Sequence, residues 1–214
     1  GVRLVGSEMC IRDRLRSQHD VTNKVQNFKG IAASVDCNNR WVALDPYRGS
    51  IAAVAESARN VSCVGALPVA ITNNLNFSSP ETDIGYWQLA SSCDGISEAC
   101  KVLETPVTGG NVSLYNESKD DSGFVTPIQP TPVIGMVGII DNVDKAISSG
   151  WKEEKDEIWL IGSTSSETTL AASSYLEYFH GLLKGRPPKI NLNDEKLIQK
   201  IIRLGINLSL IHIS

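Results

Sequence analysis

The sequence predicts an α/β fold, and three features carry that reading. Short apolar runs with strand character fall at residues 30–35, 69–71 and 133–140. Two longer stretches between them repeat apolar residues at three- and four-residue steps, as amphipathic helices do. Thr108, Gly109, Gly110 and Asn111 follow the second stretch, at the carboxyl side of a strand position, where such layers gather ligands.

In chain order, residues 30–35 and 41–44 read as two short strands separated by the turn-rich Asp36, Cys37, Asn38 and Asn39. Asp45, Pro46 and Tyr47 break the second, because Pro46 has no N–H to donate. A helix is predicted over 50–64, with Ile51, Val54, Ala58, Val61 and Val64 as its buried stripe and Gly65 as a left-handed stop. The strand 69–71 is ended by Thr72, Asn73 and Asn74. Ser79 as cap, Pro80 and Glu81 announce a second helix. Its stripe is Leu89, Cys93, Ile96, Cys100 and Leu103, and Thr105 with Pro106 stops it.

Beyond a polar connector at 119–123, Pro127, Pro130 and Pro132 make an extended lead into the strand 133–140. A boundary to a second unit lies near 141–156, where charge rises and periodicity lapses. Residues 157–162 (EIWLIG) read as a buried strand. Helices are predicted at 170–183 and 194–204, with Ser163 to Ser166 as a helix cap and a turn at Gly185, Arg186, Pro187 and Pro188. This second unit is too short to close its own core. The domain organisation is therefore 14–143 for the first unit and 150–207 for the start of a truncated second. Residues 1–13 and 208–214 carry no period and are read as non-native or disordered tails.

Composition excludes several classes. Hydrophobic residues make up 42% and charged residues 21% of the 214-residue chain, as in ordinary globular proteins. A net charge of −4 leaves no basic footprint for nucleic acid and no polybasic membrane patch. No apolar run approaches the ~20 residues that span a bilayer. The five cysteines show no CxxC pair, which points to free thiols in a reducing compartment and a cytoplasmic location.

The Gly-Gly-Asn stretch is the candidate site. Adjacent glycines let the backbone turn through positive φ and let N–H groups face phosphate oxygens. Asn111 offers a hard carbonyl oxygen of the kind Mg²⁺ accepts, and Ser113 a hydroxyl for an anionic oxygen. A two-residue hairpin turn explains the same glycines equally well, and there is no Walker A lysine. His19, His180 and His212 are isolated, and His180 suits a helix end before Gly181. Asp45 could reach a metal or simply end a strand. Arg59 could meet a phosphate but suits an ion pair better.

The segment PVTGGNVSLYNES resembles the second half of the large subunit of phosphoribosylformylglycinamidine synthase. Four more stretches agree in order and spacing: VDCNNRWVALDPYRGSIAAVAESARNVSCVGA, ITNNLNF, GYWQLASSCDGISEAC and PTPVIGMVGII. The resemblance is nearest to the small stand-alone form, in cyanobacterial wording. It implies an aminoimidazole-ribonucleotide-synthetase-like N-terminal α/β domain, followed by a truncated C-terminal α/β domain. It further implies that Gly110 contacts ATP, Asn111 binds Mg²⁺ and Ser113 touches the substrate. Asn73 stands where many members have an ATP-contacting Asp.

The family reaction turns formylglycinamide ribonucleotide, ATP and an amide nitrogen into formylglycinamidine ribonucleotide in purine biosynthesis. Its catalytic histidines lie in a first half that this sequence does not include, so no catalytic residue is named here. The partners implied are that missing half, a glutaminase subunit and a small accessory subunit. Alone, the fragment is expected to be inactive and to pair with itself. Alternatives are a non-catalytic nucleotide-binding or dimer-interface module, or a relative such as a selenophosphate synthetase or thiamine-phosphate kinase.

Overall fold

The computed structural model describes residues 13–15, 28–150, 154–162 and 170–210. Its elements in chain order are β1 (Asp13–Leu15), β2 (Lys29–Asp36), α1 (Asn39–Leu44), α2 (Pro46–Cys63), β3 (Leu67–Asn76) and α3 (Asp83–Leu103). They continue with β4 (Val107–Ser113), β5 (Glu117–Lys119), β6 (Val125–Pro127), β7 (Thr131–Ile140), α4 (Ser174–His180) and α5 (Leu192–Asn207). Five strands form one sheet in the order β1-β2-β7-β3-β4, and β5 with β6 makes a separate hairpin. The β3–β4 pair is parallel, joined through α3, and the other pairs in that sheet are antiparallel.

The pleat sorts the side chains. On β7, Ile134, Met136 and Ile140 turn toward α2 and are buried, together with Ala32 of β2 and Ile71 and Leu75 of β3. The alternate residues face the other side of the sheet, where Val35, Val137 and Ile139 are exposed. The helix side is lined by Ala53, Val54, Ala58 and Val61 of α2 and by Ile96, Ala99 and Leu103 of α3. Small residues on α2 let α3 pack against it closely. The predicted α/β class and the left-handed stop at Gly65, with φ 93°, both hold.

Several element assignments change. Residues 41–44 are helical, within α1. The Asn38 side chain accepts the Trp41 N–H at 3.2 Å and opens a helix where apolar composition alone reads as strand. Pro46 starts α2 rather than ending a strand: Asp45 accepts the Arg48 N–H at 3.0 Å as cap, and Pro46 takes the first helical position. Strand β3 runs on through Thr72, Asn73 and Asn74 to Asn76, because β7 and β4 satisfy its backbone on both sides.

Helix α3 is capped by Thr82, whose hydroxyl accepts the Gly85 N–H at 3.1 Å, and Ser79 instead closes the preceding turn. Cys93 is exposed, and the buried stripe runs through Ser92 and Gly95 instead. Residues 157–162 form no strand. Ile158, Trp159 and Leu160 are 78%, 77% and 86% exposed, since no described layer covers them.

The predicted helix 170–183 shortens to α4, which Gly181 ends at φ 61°. His180 closes that helix, its ring 5.5 Å from Tyr175, as its position before Gly181 implied. Helix α5 extends the predicted 194–204 at both ends and docks on α2. Arg59 donates to both carboxylate oxygens of Glu195, at 2.9 and 3.0 Å, so it is an ion-pair residue. Asp13 pairs with Ile31, and Leu210 donates its N–H to Gly205 O at 2.9 Å, closing α5. Residues 1–12, 16–27, 151–153, 163–169 and 211–214, and with them His19, His212, Cys10 and Ser163 to Ser166, lie outside the described residues.

Candidate functional site

The Gly-Gly-Asn stretch is neither a loop nor a hairpin turn. Gly109 and Gly110 lie inside β4, and neither has positive φ. Gly110 is required for a different reason. A Cβ at residue 110 would overlap the Asn73 side-chain oxygen and lie 2.5 Å from the Asn73 carbonyl oxygen. At Gly109 a Cβ would meet nothing within 4 Å. The site is thus built by strand register: Asn73 stands opposite Gly110, Asn74 opposite Asn111 and Asn76 opposite Ser113.

Neighbouring strand positions face opposite sides, so the four predicted residues split into two pairs. Asn73 and Gly110 lie on the side of α3. Asn111 and Ser113 lie on the open side with Asn74 and Asn76. Asn111 donates its amide hydrogen to the Asn74 side-chain oxygen at 3.2 Å, which leaves its own carbonyl oxygen free for a hard cation. The Ser113 hydroxyl shares a local network with Asn116, whose amide also donates to Ser113 O at 2.7 Å and to Phe77 O at 3.2 Å. That network holds the turn after β4 in place. Thr72 and Thr108 tie the same strands, through Gly109 O at 3.2 Å and Ile71 O at 3.1 Å.

A groove of about 480 Å³ opens on the other side, between α3 and the β3–β4 edge. Ile96, Cys100 and Val107 form its walls and Asn73 its floor, with Lys101 at the rim. Burial raises the Cys100 thiol above its ordinary value, and the nearby Thr105 hydroxyl partly offsets this. Burial also raises the Cys93 thiol. Neither thiol is therefore set up as a nucleophile at neutral pH.

Sequence reasoning passed over a second polar centre. Asp36, 8% exposed at the end of β2, accepts from the Ser57 hydroxyl at 2.8 Å and the Asn60 amide at 2.9 Å. Ser34 donates to Ser57 O at 3.0 Å. Desolvation, then Glu56 and Asp36, push the adjacent Cys37 thiol up to about 12. The available signal was Asp36 at a buried-side position of its strand, facing Ser57 and Asn60 one helical turn apart. Asp45 is a cap and ion-pair partner, with Arg186 Nε at 3.3 Å. Among the described residues no group of three His, Cys, Asp or Glu side chains could hold a metal. No described helix is long and apolar enough to cross a membrane.

Residues 18–140 match the family described as AIR synthase related protein, N-terminal domain. The chain is 75% identical over 193 residues to the phosphoribosylformylglycinamidine synthase subunit PurL of Prochlorococcus marinus subsp. pastoris, covering 90% of this chain and 25% of that protein. It thus spans about a quarter of the length of the curated relatives it matches. A solved structure of Thermotoga maritima PurL complexed with ATP is 33% identical, with a TM-score of 0.50, over 58% of this chain and 20% of that one. T. maritima PurL complexed with FGAR is 31% identical, with a TM-score of 0.51, over 64% and 20%. With more than half of its length matched by the family model, and with the sheet and crossover helix that fit it, the chain belongs to the AIR synthase related family through that family's N-terminal domain.

Proposed function

We propose that this chain is part of an ATP-dependent carbon–nitrogen ligase that converts formylglycinamide ribonucleotide to formylglycinamidine ribonucleotide in purine biosynthesis. The observation that carries the proposal is the 75% identity to a PurL subunit across 90% of the chain. The paired register of Asn73 with Gly110 and Asn74 with Asn111 supports it. Identity at that level outweighs the selenophosphate synthetase and thiamine-phosphate kinase alternatives.

In this reading residues 14–143 are the synthetase-like N-terminal domain and residues 150–207 begin the C-terminal one. Asn73 and Gly110 contact ATP, with backbone N–H groups of β4 and the Asn73 amide as donors. Ser113 touches the ribonucleotide substrate. The free Asn111 oxygen, on the open side of the sheet, fits a Mg²⁺ ion and would hold it there. Mg²⁺ supplies charge neutralisation between phosphate oxygens during phosphoryl transfer. The chain's own contribution is binding and orientation. The catalytic groups, the glutaminase subunit and the small accessory subunit come from outside it, in the cytoplasm.

Replacing Asn111 by Ala in the complete ligase tests the assignment. The apparent Mg²⁺ requirement should rise about tenfold or more, with the melting temperature unchanged, since Asn111 is exposed. An unchanged Mg²⁺ dependence in steady-state kinetics would remove Asn111 from the site. The chain assayed alone should be inactive, and activity should appear when the rest of the polypeptide is supplied.

A further inference from the structure

We infer that Asn76 is a further substrate-binding residue, whose side-chain carbonyl oxygen accepts an amide N–H of the ribonucleotide's formylglycinamide arm. This deepens the substrate reading of Ser113 above and rests on it. The open side of the sheet changes character along its strands. Val35, Val137 and Ile139 make one end apolar, while Asn74, Asn76, Asn111 and Ser113 make the other polar. The neighbours of Asn76 in the chain put it there. Leu75 and Phe77 are 5% and 0% exposed and turn into the core, so the pleat turns Asn76 to the open side. It stands opposite Ser113 in the parallel pairing of β3 with β4.

Most polar atoms at that end are already engaged. The Thr72 hydroxyl donates to Gly109 O at 3.2 Å, the Asn74 side-chain oxygen accepts from Asn111, and the Ser113 hydroxyl lies 3.1 Å from the Asn116 side-chain oxygen. Asn76 donates its amide to Asn74 O at 3.1 Å and to Thr131 O at 3.3 Å. Those two bonds use both amide hydrogens and fix the plane of the group, so its oxygen and nitrogen cannot trade places. The oxygen has no donor among the described residues, although Asn76 is half-buried. An acceptor held away from water without a donor favours a ligand that supplies one. Because its orientation is already set, little freedom is lost when the ligand arrives. The Asn111 oxygen is likewise unengaged and serves the cation in the reading above. Asn76 faces the substrate residue Ser113 instead. A formylglycinamide arm carries amide N–H groups, which a neutral oxygen suits, and a site built to hold an N–H rejects ligands that lack it.

The test is calorimetric titration of the complete ligase with formylglycinamide ribonucleotide and with ribose 5-phosphate, which lacks the amide arm. Asn76→Ala should weaken binding of the ribonucleotide about tenfold and leave ribose 5-phosphate within about twofold. Asn76→Asp keeps an acceptor and loses both donors to the strand backbone, so it should recover most of the lost affinity. Equal losses for both ligands in Asn76→Ala, or equal losses of the ribonucleotide in the two variants, would mean that Asn76 only ties β3 to β7. Either result overturns the substrate contact. So does an unchanged ribonucleotide affinity, with or without a raised Mg²⁺ requirement. All of these leave the ligase assignment standing. No binding of the ribonucleotide by the unaltered enzyme would overturn both.

Discussion

The side-chain amide of Asn73 lies where a Cβ of residue 110 would be, so Asn73 on β3 and Gly110 on β4 form one fitted pair. The glycine is there for its missing volume and not for an unusual backbone angle. Gly109, one residue earlier, faces open space. The two glycines therefore answer differently to the same change. Gly110→Ala should destabilise the chain by about 1–3 kcal/mol, the usual cost of overpacking, and should displace Asn73. Gly109→Ala should stay within about 0.5 kcal/mol. Denaturant melts of both variants check this, and equal effects would show that backbone freedom, not space, sets the requirement.

That pair also marks how far sequence reasoning reached. The residues of the candidate site were legible, because Asn and Ser beside two glycines are chemically distinctive. Their setting was not. Two glycines and three polar residues read as turns, yet pairing with β4 and β7 holds Thr72 to Asn74 in extended backbone, and pairing with β3 does the same for Gly109 and Gly110. The helices were legible where a stripe spans several turns, as in α2. They were misjudged at their starts, where Asp45 and Thr82 cap through a side chain that composition does not reveal. The segment 157–162 has a strand's composition, but burial depends on a layer that a single segment cannot provide.

Cys37 gives a pH-dependent expectation. Its thiol rises from 9.0 to about 12 in the folded chain, so the folded state holds its proton more tightly than the unfolded one. The resulting stability is fully present below pH 9 and is lost as pH rises toward 12. Melting temperatures recorded between pH 8 and 11 should fall more steeply for the unaltered chain than for Cys37→Ala. Parallel curves would mean that the thiol does not control this loss.

The Arg59–Glu195 fork ties α5 to α2, and Gln199 donates to the same carboxylate at 3.0 Å. Arg59 is partly exposed, so the pair is screened. A double-mutant cycle with Arg59→Ala and Glu195→Ala should give a coupling of about 0.5–1 kcal/mol at low salt that shrinks in 1 M NaCl. Coupling that does not respond to salt would point to packing instead.

The open face of the sheet sets an expectation for association. Val35, Val137 and Ile139 are exposed there, and β4 leaves an uncharged edge. Residues 41–44 contribute nothing to this face, since Val42 is fully buried in α1, and Ile134 is fully buried on the helix side. The chain alone should self-associate at tens of micromolar, and Val137→Lys should shift it toward monomer. Light scattering after size exclusion reads both outcomes, and a monomer without the substitution would show that the face tolerates water.

The position of β7 has a consequence for how the chain comes into being. This strand lies between β2 and β3, yet it is the last of the five to be synthesised. A ribosome extends a chain by about 5–20 residues per second, so β2 and β3 emerge seconds before the strand that joins them. During that interval α2 and α3 can form from local contacts, but the sheet has a gap at its middle. The nascent chain carries two strand edges that face each other across a space only residues 131–140 can fill. Cooperative folding is therefore deferred until β7 clears the exit tunnel. The interval before that is when this domain most needs protection from other chains.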